Sequence, residues 1–125
     1  MKKFFGSFYY AIRGIVECLK SERNFRFHLF AAVVAVVISF WLKISALEWA
    51  LVILSITIVM AAEIINTSVE KIADFIEPNI NKKIRVIKDM TAGMTLIAAI
   101  GAFLVGVIIF LPKIISGFSI FFNIT

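Results

Sequence analysis

Four polar side chains stand at the end of an otherwise apolar run. Glu63, Asn66, Glu70 and Asp74 lie in the segment AEIINTSVEKIAD, residues 62–74, and about twenty nearly uncharged residues precede them. Their spacing of i, i+3, i+7 and i+11 gives one stripe on an α-helix, because each residue turns the chain by about 100°. Glu63 and Glu70 are two turns apart, about 10 Å along the axis. Carboxylates stacked on one ridge repel unless a cation lies between them. Carboxylates that share a cation with water and phosphate oxygens are typical of Mg²⁺ sites. A plainer alternative is that the stripe ends the helix at a membrane boundary and pairs with Lys71, Lys82 or Lys88. Asp74, nearest to water, suits that reading best.

Two further clusters could join the stripe. SERNFRFH, residues 21–28, places Glu22 just before an apolar run, where it can add a carboxylate from a second helix. The alternative is a helix start with Ser21 as N-cap and an acid in the first turn. His28 stands alone in the sequence and reads as an interfacial or packed histidine. Lys88-Asp89 sets a cation beside an acid at a helix start, as a local pair or as a phosphate-holding pair. The chain has no GxxxxGK[ST] loop and no glycine-rich kinase loop, so any bound phosphates would be held by side chains and metal.

The elements that must position these groups are helical. Three apolar runs are expected to span a membrane, at about residues 25–42, 44–66 and 88–111, the last stopped by Pro112 and Lys113. Residues 4–21 form an amphipathic surface helix, with Phe4, Phe8, Ala11, Ile15 and Leu19 on one side. The second span is expected to run past the membrane to about Ile76, which sets the stripe at the lipid–water boundary. Ala98, Ala102 and Gly106 recur every four residues, a spacing that serves close helix packing within or between subunits. The tail from residue 114 to 125 is expected to lie at the far interface.

Composition agrees with a membrane class. The chain has 125 residues, 62% of them hydrophobic, and a mean hydropathy of +1.02. A soluble domain averages about 45–50% apolar, so the excess must face lipid. The single cysteine, Cys18, excludes an internal disulfide. The N-terminal stretch has charges throughout and does not read as a signal peptide. The net charge of +5 does not indicate nucleic-acid binding, because the basic residues flank apolar spans. Of 13 lysines and arginines, all but Lys43 and Lys113 precede the first run or lie between the second and third. That asymmetry predicts a cytoplasmic N-terminus and a cytoplasmic 67–88 loop. Three spans leave few inner faces, which favours a homo-oligomer.

Together these segments resemble the small prokaryotic diacylglycerol kinase family, which includes the undecaprenol kinases. The resemblance rests on ERNFRFH (22–28), AAEIINTSVEKIAD (61–74) and KDMTAG (88–93). The family pattern reads E-x-x-N-[ST]-x-[IV]-E-x-x-x-D, then about thirteen residues, then K-D. Glu63, Asn66, Thr67, Val69, Glu70, Asp74, Lys88 and Asp89 stand in register with it. The resemblance implies an integral-membrane kinase that uses ATP and Mg²⁺ to phosphorylate diacylglycerol or undecaprenol. It implies Glu22 and Glu70 as carboxylates for the metal on the nucleotide phosphates. It implies Glu63 as general base and Asn66 in the same catalytic cluster. Lys88, Asp89, Tyr10 and, with a weaker match, Lys3 correspond to nucleotide-contacting positions. A homotrimer with sites shared between subunits is implied as well. The alternative from another class is a non-enzymatic membrane protein that binds cations through its carboxylate stripe. Ion pathways need polar groups through the bilayer depth, and the first and third runs carry none at mid-depth.

Overall fold

The computed structural model describes residues 1–123, and Ile124 and Thr125 lie outside the described residues. The described chain is all helical, in the order α1 (Lys2–Ser21), α2 (Arg23–Trp41), α3 (Ala46–Ile76) and α4 (Lys82–Asn123). The last three are long and apolar enough to cross a membrane.

One residue separates α1 from α2. Glu22 leaves the helical region, with φ −114° and ψ 113°, and the chain turns there. This break leaves the last carbonyls of α1 without helical partners. Arg26, one turn into α2, supplies them: its Nη1 donates to Leu19 O at 2.9 Å and to Lys20 O at 3.0 Å. The expectation for Ser21 is corrected here. Ser21 ends α1 and its hydroxyl donates to Glu17 O, while the N-cap position of α2 falls on Glu22. A single break leaves no room for a separate capping serine.

α2 has 19 residues, about 28 Å at 1.5 Å per residue, which matches a hydrocarbon core of about 30 Å. It ends in a tight turn where Lys43 adopts φ +50°. Ser45 then opens α3 with a capping box. Its hydroxyl accepts from Glu48 N at 3.2 Å, and its own N–H donates to Glu48 Oε1 at 3.0 Å. Glu48, the one acid before the polar ridge in the second apolar run, is therefore a cap. It also lies 3.2 Å from Lys113 Nζ, which ties α4 to the start of α3.

α3 has 31 residues, about 46 Å, so it outruns the hydrocarbon by several turns. It ends at Ile76 as expected. A short turn follows, in which Glu77 Oε1 accepts from Asn79 N and Asn81 Oδ1 accepts from Lys83 N. Asn81 thus caps α4, and α3 and α4 form a long antiparallel hairpin. α3 is the central element and packs on α2, α4 and α1. The small packed core, Ile44, Val52 and Ile109 with Trp49, Ile56 and Phe110 around it, lies at the end of the bundle away from the stripe.

Pro112 does not stop the last helix. It lies inside α4, which continues to Asn123. Proline removes one N–H bond and crowds the preceding turn, yet an apolar helix tolerates it because no water competes for the remaining backbone bonds. The Ser116 hydroxyl donates to Pro112 O at 2.9 Å and helps to hold this turn. Residues 114–123 are therefore helical.

Candidate active site

The stripe on α3 runs from buried to exposed. Glu63, Asn66 and Thr67 are 4%, 8% and 2% exposed, Glu70 is half-buried and Asp74 is exposed. Burying a carboxylate requires a partner or a function. Asn66 Nδ2 donates to Glu70 Oε1 at 3.4 Å, so the amide bridges two members of the ridge. Asn66 Oδ1 is buried and has no partner among the described residues.

The partner of Glu63 comes from α2. His28 Nε2 stands 3.2 Å from Glu63 Oε1, with the carboxylate almost fully enclosed and the imidazole one-fifth exposed. His28, expected as an interfacial or packed histidine, is packed against this acid. Its neighbours in sequence are apolar, and only the crossing of α2 against α3 brings it to the acid. The useful signal in the sequence was its level: it lies in the second turn of α2, close to the polar Glu22 break, as Glu63 lies at the start of the polar ridge. Glu22 and Glu70 also interact electrostatically with Glu63. Glu22, at the α1–α2 break, and Glu70, on α3, thus lie within electrostatic reach of Glu63, and Asn66 contacts Glu70.

The remaining expected residues lie elsewhere in the chain. Lys88 reaches across the hairpin to Asp74 and forms an ion pair with it. Asp74 therefore follows the plainer reading of the stripe. Asp89 pairs with Arg85 one turn earlier, at 3.3 Å. Asp74, Lys88 and Arg85, but not Asp89, border a small cleft of about 140 Å³ beneath the Glu77–Asn81 turn. Tyr10 and Lys3 lie on exposed faces of α1. Tyr10 meets Tyr9 edge-on at 5.5 Å, and Ser7 donates to the Lys3 carbonyl. Among the described residues, no hydrogen bond or ion pair joins either of them to the Glu63 cluster.

Among the described residues, no group of three or more His, Cys, Asp or Glu side chains closes into a metal cage. Glu22 and Glu70 provide two carboxylates, and the buried Asn66 Oδ1 provides a neutral oxygen without a partner. An all-oxygen set with few protein ligands suits Mg²⁺, which keeps waters and substrate phosphates in its shell rather than a protein cage. The residues present fit that ion.

An open apolar groove of about 670 Å³ runs along the inner faces of α2, α3 and α4. Ala31, Ala35, Val59, Ala102 and Gly106 line it, and His28 forms part of its wall. Ala102 and Gly106 of the small-residue repeat thus face the other helices of the same chain.

Comparison with known sequences decides the class. The profile of the prokaryotic diacylglycerol kinase family matches residues 9–110. The chain belongs to the prokaryotic diacylglycerol kinase family. It is 35% identical to the undecaprenol kinase of Bacillus subtilis over 114 residues, which cover 91% of this chain and 93% of that protein. Against the diacylglycerol kinase of Synechocystis it is 33% identical over 111 residues, 88% of this chain and 63% of that longer protein. With the diacylglycerol kinase of Escherichia coli K12 it shares 34% identity over 93 residues, 74% of this chain and 76% of that one. Membership of this lipid kinase family sets aside the non-enzymatic alternative.

Proposed function

We propose that this protein transfers the γ-phosphoryl group of Mg-ATP to the hydroxyl of a membrane lipid alcohol. Undecaprenol is the favoured acceptor and diacylglycerol the other. The observation that carries this reading is the buried Glu63. It stands on a membrane-crossing helix, beside Asn66 and within electrostatic reach of Glu22 and Glu70. The 35% identity to an undecaprenol kinase across 93% of that protein supports the choice of lipid.

Phosphoryl transfer needs positioning and charge neutralisation more than covalent help from the protein. Glu63 accepts the proton of the lipid hydroxyl as that oxygen attacks phosphorus, and ADP leaves. Its place near the membrane boundary lets it meet an alcohol whose tail never leaves the bilayer. Asn66 holds Glu70 through its amide and directs Oδ1 into the cluster. Glu22 and Glu70 would hold Mg²⁺, which supplies positive charge on the phosphates when bound. Lys88 and Asp89, at the hairpin end, would contact the nucleotide, so Lys88 must exchange Asp74 for phosphate oxygens. Tyr10 and Lys3 of α1 complete the nucleotide side. α1 lies along the membrane surface with its exposed Phe4, Phe8 and Ile15 in the interface. The N-terminus and the 67–88 loop face the cytoplasm, where ATP is present. Three copies assemble, and each site takes groups from neighbours.

The test is phosphate transfer from ATP and Mg²⁺ in mixed micelles, with diacylglycerol and undecaprenol offered separately. Transfer that Glu63→Gln reduces by about 10²–10⁴-fold supports the assignment, and the preferred lipid names the acceptor. Absence of transfer to either lipid by folded protein refutes it.

A further inference from the structure

Nothing above gives His28 a role, yet it is the side chain that meets the buried acid. We infer that His28 is a positioning residue, which fixes one oxygen of Glu63 and thereby presents the other to the lipid hydroxyl. The inference rests on the kinase reading, and it concerns a group that the spacing of the α3 stripe does not include.

Three observations carry it. First, Nε2 of His28 lies 3.2 Å from Oε1 of Glu63, and the carboxylate side chain is only 5% exposed. A carboxylate with one oxygen engaged has a restricted χ3 torsion, so its second oxygen keeps a defined direction. Second, among the described residues His28 is the one ionisable residue in the wall of the apolar groove. Apart from the hydroxyl of Ser55, that wall is built from apolar side chains, so the imidazole marks the point where an apolar space meets the acid. An alcohol whose chain lies along such a wall arrives with its hydroxyl beside the His28–Glu63 pair. Third, α2 and α3 are separate helices, and the histidine ties the catalytic carboxylate to an element that the ridge alone would not hold. A base must stay within hydrogen-bond reach of its proton, and small misplacements lower rates steeply.

A purely structural histidine would also contact Glu63, so the test must separate the two roles. Steady-state transfer is measured on the full chain in mixed micelles with Mg-ATP and the preferred lipid. His28→Ala is expected to lower kcat by about 10–100-fold, a share of what a general base contributes, and to leave the KM for ATP within about 2-fold. His28→Gln places an amide donor near the Nε2 position and should recover most of the loss. Adding His28→Ala to Glu63→Gln should lower the residual rate no further, because both changes act on one group. If the two losses multiply, or if Gln rescues nothing while both proteins are folded, the inference is overturned.

A second readout needs no turnover. The chain has a single histidine, so ring ¹⁵N resonances of labelled protein in micelles arise from His28 alone. Glu63→Gln should move the Nε2 resonance and Lys113→Gln should leave it in place. An unmoved resonance in Glu63→Gln overturns the contact itself. If wild type transfers no phosphate to either lipid, the kinase reading fails. If wild type is active and His28→Ala equals it, only the present inference fails.

Discussion

At the scale of single residues, the α3 ridge divides by burial into two tasks. Glu63 and Asn66 are enclosed, and Glu70 is half-buried and held by the Asn66 amide. Asp74 is exposed and spends its charge on Lys88. Glu70→Gln should therefore raise the Mg²⁺ concentration needed for half-maximal transfer, about 10-fold or more for loss of one charged ligand. Asp74→Asn should leave that requirement unchanged. A titration of activity with Mg²⁺ distinguishes them. Cys18 gives a second prediction at this scale. Burial raises its thiol above the ordinary value of 9.0, and nearby Glu22 adds to the rise. The folded state thus holds the thiol proton more tightly than the unfolded chain. Its contribution to stability is complete below pH 9.0 and declines as pH rises beyond that. Maleimide should label Cys18 slowly at pH 8 in micelles and quickly after unfolding in SDS. The ridge was legible in the sequence because helical periodicity alone defines it. The His28–Glu63 contact was not, because it depends on how α2 crosses α3, and no spacing within one helix encodes that crossing.

At the scale of elements, helix ends explain most of the short-range chemistry. Lys43 adopts φ +50°, a left-handed conformation that costs a side-chain-bearing residue about 1 kcal/mol. Lys43→Gly should stabilise the α2–α3 turn by about that amount, read as a higher thermal midpoint in micelles, whereas Lys43→Val should lower it. Ser45→Ala removes one half of the capping box and should cost about 1 kcal/mol, read in the same assay. Sequence reading placed the α3 end at Ile76 and found the polar turn, because Pro78 and Asn79 announce it. It ended the last helix at Pro112, as proline would end a helix in water. The structure carries α4 through that residue because its surroundings are apolar. The alternative that placed Ser21 at a helix start fails for a similar reason, since a serine before an acid looks the same whether it opens one helix or closes another.

At the scale of the whole molecule, the subunit leaves far more apolar surface open than it covers. Phe30, Val37, Phe103, Ile108 and many others on α2 and α4 are more than half exposed, and the packed core is small. Membrane class was legible from composition, since no amount of internal packing in a chain this short could enclose its apolar residues. The distribution of the site was less so. Glu22, Glu63 and Glu70 converge, but Tyr10, Lys3, Lys88 and Asp89 stand apart from them within one subunit. That separation is what a shared site predicts. Scattering with subtraction of detergent should give a mass of three copies of 14.0 kDa. Mixing Glu63→Gln subunits with Lys88→Ala subunits, each inactive alone, should restore activity, because some sites then draw both intact groups from different copies. No restored activity would assign every site to one chain.

The unbroken course of α3 has a mechanical result. From Ala46 to Ile76 it has no proline or glycine to break it, so it is one continuous rod. Its Ser45-capped end is tied to α4 by Glu48 and Lys113, and Glu63 lies some seventeen residues along. A thicker bilayer would draw Glu63 deeper relative to the headgroups, and a thinner one would lift it towards water. The acyl-chain length of the host lipids would thereby set the depth of Glu63, with no change in the contacts inside the protein.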